Sequence, residues 1–115
     1  MDEFAALADP TRRQILEKIA NRGQLSATEI SDQFAISPQA ISQHLKVLLE
    51  AELVLVERRA QQRIYRINPT TMQTLSIWAS QIVQLWERRF NALDELLEED
   101  KKKEVQKEKQ KGAKP

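Results

Sequence analysis

A mainly α-helical domain with one small β-hairpin is the fold class this sequence predicts, and three observations predict it. Apolar residues recur at three- and four-residue steps through most of the first fifty positions and again after position 71. The period drops to two in two short runs, Leu53 to Val56 and Arg63 to Ile67. Pro10, Gly23, Pro38 and Pro69 fall at the joints between these segments.

The first segment, residues 2–8, reads as a short helix with Phe4 and Leu7 as apolar contacts. Asp9-Pro10 breaks it, because a residue before proline is pushed out of the helical region. Asp9 then caps a helix over 10–21, with Pro10 at its first position, where no amide donor is needed. That helix offers Ile15, Leu16 and Ile19 to a core and places Arg12 and Arg13 on an early exposed turn. Gly23 ends it, free to take positive φ. Leu25 to Thr28 is a short connection, and Thr28, or Ser26 before it, can cap a helix over 29–35 that buries Ile30 and Phe34. Ala35-Ile36 turns into Ser37.

Ser37 to Leu53 is a helix with two different faces. Ser37 is a good N-cap and Pro38 suits the first helical position. At about 100° per residue, Ile41, Leu45, Leu48 and Leu49 fall on one side. Gln39, Gln43, Lys46 and Glu50 fall on the other, with Ser42 and His44 near its edges. Amides and short hydroxyls read base edges in a major groove, and a lysine meets phosphate or guanine. The same pattern also fits an ordinary amphipathic surface helix, so the neighbours decide. A short helix followed within a few residues by this one is a helix-turn-helix, in which the first braces the second. The two period-two runs flank Arg59-Ala60-Gln61-Gln62 and make a hairpin with arginines near its tip. A basic hairpin directly after a helix-turn-helix is a wing. Asn68-Pro69 ends the second strand, and Thr70 or Thr71 opens the last helix.

That helix, 71–97 or a little beyond, carries Leu75, Trp78, Ile82, Leu85, Trp86, Phe90 and Leu93 as one wide apolar stripe. At about 1.5 Å per residue it is about 40 Å long. A single small domain does not easily cover such a stripe, and an exposed apolar patch of that size marks an interface, here dimerisation. The domain therefore spans 1–97, and 98–115 is a charged, Lys-rich tail expected to fray into disorder.

Bulk properties narrow the function. At 115 residues the chain is one domain with a tail. It has no Cys, hence no disulfide, thiolate metal site or redox centre, which suits the cytoplasm. No apolar run reaches the roughly 18 residues that span a bilayer, and the start, with Asp2 and Glu3, is not that of a signal peptide. The net charge is only +1, but residues 57–66 hold a local +3 and residues 101–115 a local +5. A near-neutral chain with one basic edge suits a local DNA-binding surface and not a nonspecific polycation.

Three segments, ALADPTRRQILEKI, SPQAISQHLKVLLEAELV and ERRAQQRIYRI, in this order and spacing resemble the ArsR/SmtB-type winged-helix transcriptional regulators, over about residues 4–97. The long last helix is similar to that of a branch without metal-sensing motifs. The resemblance implies a homodimer through the first and last helices, and a recognition helix from Ser37 in the major groove of each half-site. It implies groove roles for Gln39, Ser42, Gln43, His44 and Lys46, a phosphate held at Ser37, and wing contacts from Arg58, Arg59, Arg63 and Tyr65. Two positions depart. Glu52 stands where the family often has glycine, and Ala60-Gln61 where it often has a glycine-arginine pair.

No metal or other cofactor is expected. The family's metal sensors use a Cys-x-Cys run in the bracing helix or clustered His and acidic ligands on the last helix, whereas here the bracing helix reads TEISDQFA. The single His, His44, lies on the expected DNA-facing helix, so soft metals have no site. His44 is either a packed helix-boundary residue or a direct DNA contact. No nucleophile elbow or phosphate-binding loop points to an enzyme. The expected function is a sequence-specific DNA-binding regulator: a homodimeric repressor that occludes a pseudo-palindromic operator in double-stranded DNA. The alternatives are a winged-helix docking module, for which Trp78, Trp86 and Phe90 would make the sticky face, and a regulator answering to a small-molecule inducer. Nothing in the sequence identifies such an inducer.

Overall fold

The computed structural model describes residues 2–112, with side chains as far as Lys101. The chain divides into two units, Met1–Leu75 and Ser76–Pro115. In the first lie α1 (Glu3–Leu7), α2 (Pro10–Arg22), β1 (Leu25–Ser26), α3 (Ala27–Asp32), α4 (Pro38–Glu50), β2 (Val54–Arg59), β3 (Gln62–Ile67) and the start of α5 (Pro69–Gly112).

Each helix begins on a side-chain cap. Asp2 accepts from the Ala5 amide at 2.7 Å, and Asp9 from those of Thr11 at 2.7 Å and Arg12 at 3.2 Å. Ser26 and Glu29 form a reciprocal capping box at the head of α3. Ser37 accepts from the Ala40 amide at 3.1 Å and opens α4 with Pro38 in its first turn. Asn68 accepts from the Thr70 amide at 3.2 Å, so α5 is capped by Asn68 with Pro69 at its first position, one or two residues before the threonines expected to open it.

The core gathers one face of each helix. Ile15, Leu16 and Ile19 of α2, Ile30 of α3, and Ile41, Leu45 and Leu48 of α4 are buried together with Leu25, Leu53, Val54 and Tyr65. Each such aliphatic side chain contributes about 1.5–3 kcal/mol on leaving water. Phe34 packs on this core only in part, with the Lys18 ammonium 5.5 Å from its ring centre. It does so from the turn, because α3 stops at Asp32 and not at residue 35. Met72 and Leu75 at the start of α5 also pack against the core.

The sheet has three antiparallel strands in the order β1-β3-β2, one more than the expected hairpin. Leu25 and Ser26 pair with Tyr65 and Ile64, and Val54 to Arg59 pair with Ile67 back to Gln62. Two-residue strands show no alternation, so β1 has no periodic signature. Having β1 on one side and β2 on the other makes β3 central, and both Ile64 and Tyr65 are buried.

The second unit is the helix from Ser76 onward. Its large apolar residues as far as Leu97, Trp78, Ile82, Leu85, Trp86, Phe90 and Leu93 among them, are all exposed. The backbone stays helical to Gly112, past the expected end near residue 97. Glu, Lys and Gln are strong helix formers, and no proline interrupts them before Pro115. The last residues of the expected disordered tail, 113–115, lie outside the described residues.

Candidate nucleic-acid interface

α4 owes its position to what it buries. Ile41, Leu45 and Leu48 turn inward, which leaves Gln39, Ser42, Gln43 and Lys46 exposed on the opposite side. The helix ends in a left-handed residue, Glu52, at φ 59°. The Leu53 amide then reaches back to the Leu48 carbonyl and that of Glu52 to the Leu49 carbonyl, both at 3.0 Å. Leu53 and Val54 are drawn into the core, so the chain leaves α4 directly into β2. The sequence departure at Glu52 therefore leaves the turn in place, with a side chain where glycine would be unstrained.

β2 and β3 meet through Ala60-Gln61, with Ala60 at φ 52°. Arg58 faces Arg63 directly across the ladder, and both are exposed. Like charges in that position repel. An anion between or beside them would relieve the repulsion. Arg59 is partly neutralised by Glu57 at 3.0 Å, an exposed pair of small energetic weight.

The two elements converge. Ser42, Gln43 and Lys46 of α4 and Arg63 of β3 line one open crevice of about 330 Å³. Its walls offer an amide, a hydroxyl and two cations, the set that meets base edges and phosphate oxygens. Gln39 and Ser37 lie one turn nearer the N-terminus of α4, outside the crevice, and the Ser37 oxygen is engaged with the Ala40 amide. Tyr65 also lines the crevice, but it is 3% exposed. The expectation of Tyr65 as a free wing contact is corrected accordingly: in the central strand its ring is core.

His44 is half-buried, and its Nδ1 lies 3.4 Å from Arg12 Nη1. Arg12, expected on an exposed turn, is instead only 14% exposed. Its Nε donates to the Ala6 carbonyl at 2.6 Å and its Nη2 to that of Ala5 at 3.4 Å. Arg13 donates to the Leu7 carbonyl at 2.7 Å. The two arginines thus close the C-terminal end of α1, where helix carbonyls lack intrahelical partners. Asp9 sits beside them. Burial raises its pKa, but hydrogen bonds from the Arg12 and Thr11 amides and the Arg12 guanidinium beside it outweigh this and leave it below its ordinary value. Phe4 on α1 is 46% exposed, while Leu7 packs partly on the core.

Residues 7–57 match a family model described as a helix-turn-helix domain. The transcriptional repressor SdpR of Bacillus subtilis is 39% identical over 75 residues, 65% of this chain and 82% of that protein. The HTH-type transcriptional regulator Rv2034 of Mycobacterium tuberculosis is 35% identical over 97 residues, 84% of this chain and 87% of that protein. Among solved structures, an ArsR-like transcriptional regulator from Rhodococcus sp. RHA1 superposes with a TM-score of 0.69 at 30% identity, over 81% of this chain and 87% of that one. A helix-turn-helix with its basic hairpin, matched over most of the length of such relatives, places the chain: it belongs to the ArsR family of winged-helix transcriptional regulators and is a DNA-binding protein.

Proposed function

We propose that the protein is a homodimeric repressor that binds a pseudo-palindromic operator and excludes polymerase by covering promoter elements. One α4 enters the major groove in each half-site, the two lying about 34–36 Å apart, one turn of DNA. Gln39, Ser42 and Gln43 read base edges, and Lys46 meets phosphate or guanine. Arg58, Arg59 and Arg63 follow the backbone along the wing, and Ser37 lies beside a phosphate at the α4 N-terminus. The observation that carries this reading is the crevice in which Ser42, Gln43 and Lys46 share one opening with Arg63. A docking module has no use for that combination.

The dimer is proposed through α5. Trp78, Ile82, Leu85, Trp86, Phe90 and Leu93 repeat along it and are exposed. A second copy of the same stripe is the self-complementary partner that two-fold symmetry supplies. Phe4 and Leu7 of α1 are the family-implied addition. Several relatives are named for arsenical resistance. This chain has no Cys and so offers arsenic no thiolate. Control by the repressor's own abundance and control by an inducer of another chemistry are equally compatible with it. Acting on chromosomal DNA, it works in the cytoplasm.

Fluorescence anisotropy of the full chain tests the reading, with duplex from its own upstream region against a scrambled duplex at two salt concentrations. A preference of about 10³ or more supports a sequence-specific regulator. Equal, strongly salt-dependent binding to both would leave only the charge contribution and overturn the operator. No binding at low salt would overturn the groove role of α4.

A further inference from the structure

The Arg12–His44 contact joins two residues 32 positions apart, and the assignment of groove residues does not account for it. Arg12 is held at three points. Its Nε and Nη2 are spent on the carbonyls of Ala6 and Ala5, at the end of α1. Asp9, at the head of α2, stands 4.0 Å from Nη1. The guanidinium is planar and rigid, so fixing two of its nitrogens fixes the third. Nη1 is thereby aimed at α4, where it meets Nδ1 of His44 at 3.4 Å.

A guanidinium has donors only. A hydrogen bond at this contact therefore needs Nδ1 as the acceptor, without a proton. In a neutral imidazole the ring proton then sits on Nε2, across the ring from Arg12. His44 is half-buried, and it follows Ser42 and Gln43 at the edge of the exposed face of α4. Next to a polyanion, an N–H fixed at that edge is a ready phosphate ligand.

We propose that Arg12 is a positioning residue for DNA binding: it holds His44 as the Nε2–H tautomer, so that α4 presents a fixed N–H donor to a phosphate oxygen of the DNA backbone. This rests on the reading of α4 as the groove helix. Arg12 does not touch DNA in this scheme. It ties the α1–α2 junction to the helix that does.

The chain has one histidine, so one imidazole appears in a long-range ¹H–¹⁵N correlation spectrum of the labelled full-length protein. At neutral pH the expected pattern is that of the Nε2–H tautomer in the free protein. An Nδ1–H pattern, or a tautomer mixture, would overturn the proposal whatever happens with DNA. Arg12→Lys keeps the charge but cannot hold both carbonyls and the imidazole at once. It is expected to release the proton to both nitrogens, and a spectrum unchanged in Arg12→Lys would show that Arg12 does not fix the tautomer.

Two substitutions at His44 test the donor while leaving Arg12 and its bonds to the α1 carbonyls in place. Glutamine places an amide near Nε2, and asparagine near Nδ1. His44→Gln is expected to keep affinity within about threefold, and His44→Asn to lose about tenfold, the scale of one hydrogen bond to a charged group. The loss is expected on operator and scrambled duplex alike, because phosphate contacts carry no sequence information. Equal effects of Gln and Asn, or a loss confined to the operator, would overturn the phosphate donor. Gln43→Ala and Lys46→Ala, measured alongside, separate the two levels. If neither weakens binding, the groove reading of α4 fails, and the DNA half of the proposal with it. If both do while the His44 pair behaves alike, only the proposal fails.

Discussion

Glu52 should be replaceable by glycine with a gain in stability. It sits at φ 59°, a conformation that costs a side-chain-bearing residue about 1–2 kcal/mol. The turn needs that conformation, because the Leu53-to-Leu48 and Glu52-to-Leu49 bonds form only if the chain reverses there. Asn68 adds a bond from its Nδ2 to the Glu52 carbonyl at 2.9 Å, which a glycine would keep. The Glu52 side chain is exposed and bonds nothing among the described residues, so removing it sacrifices no contact. Against the relief stands glycine's larger freedom in the unfolded chain, about 0.5–1 kcal/mol. Glu52→Gly should therefore stabilise by about 0.5–1 kcal/mol net. For a domain of this size that is a rise in Tm of about 2–8 °C. Urea unfolding followed by circular dichroism, at one fixed protein concentration, should show a higher midpoint with an unchanged slope. Glu52→Ala keeps the strain and should stay near wild type. A glycine variant no more stable than the alanine one would refute the claim that the backbone at residue 52 stores strain.

Gln43→Ala should relax base preference by about 1–3 kcal/mol, while Arg63→Ala should weaken binding to all duplexes and flatten the salt slope. An unchanged ranking of operator variants in Gln43→Ala would mean that α4 is wrongly oriented in the groove. Trp86→Glu should yield monomers with poor DNA affinity, since it sets a charge on the apolar stripe of both copies; a dimer of normal mass in sedimentation would refute the α5 interface. Glu29 should make stability fall in acid. The Ser26 amide and hydroxyl hold its pKa below the ordinary 4.5, so its contribution is complete above that value and is lost as pH falls through the lower folded pKa. Glu29→Gln can still make the capping box but does not titrate, and its stability profile should be flatter as pH falls below 4.5; an unchanged profile would discount the capping box as its source.

What could be read in advance, and what could not, divides along the range of the interactions. Ser37 and Pro38 announce the start of α4, and Ile41, Leu45 and Leu48 its buried side, because caps and helical periodicity are local. The capping box at Ser26 and Glu29 is likewise three residues long, although Thr28 competes for the cap in the sequence. β1 is not legible, since Leu25 and Ser26 become a strand only when Tyr65 and Ile64 arrive beside them. That pairing also buries Tyr65: its position in an Arg-rich hairpin suggests a surface residue, and its place in the central strand makes it core. Arg12 departs from its expected exposure for the same reason. Arginine after Asp-Pro looks like an exposed first-turn residue until α1 folds back and offers its terminal carbonyls. The apolar pattern stops near Leu97 but the helix does not, because stripe and backbone propensity are different signals.

The two departures from the family pattern bracket a single strand, and they are not equivalent. Glu52 and Ala60 stand at either end of β2, both at positive φ and both bearing a Cβ. Strained backbone persists only where the surroundings over-determine it. At Glu52 they do: Leu53 is fully buried, Val54 nearly so, and Asn68 bonds the carbonyls of Glu52 through its side chain and Leu53 through its amide. At Ala60 only the Arg59–Gln62 pair closes the turn, and every residue around it is exposed. The root of the wing is therefore fixed by the core, whereas its tip is held by the ladder alone. Arg58 and Arg63, opposite one another one step before the turn, sit between these two regimes. Their direction is inherited from the rigid root through Tyr65 and Val54, and like charges facing each other there repel. A wing built this way holds Arg63 in a fixed place beside Lys46 and Gln43, while its tip is held only by the ladder.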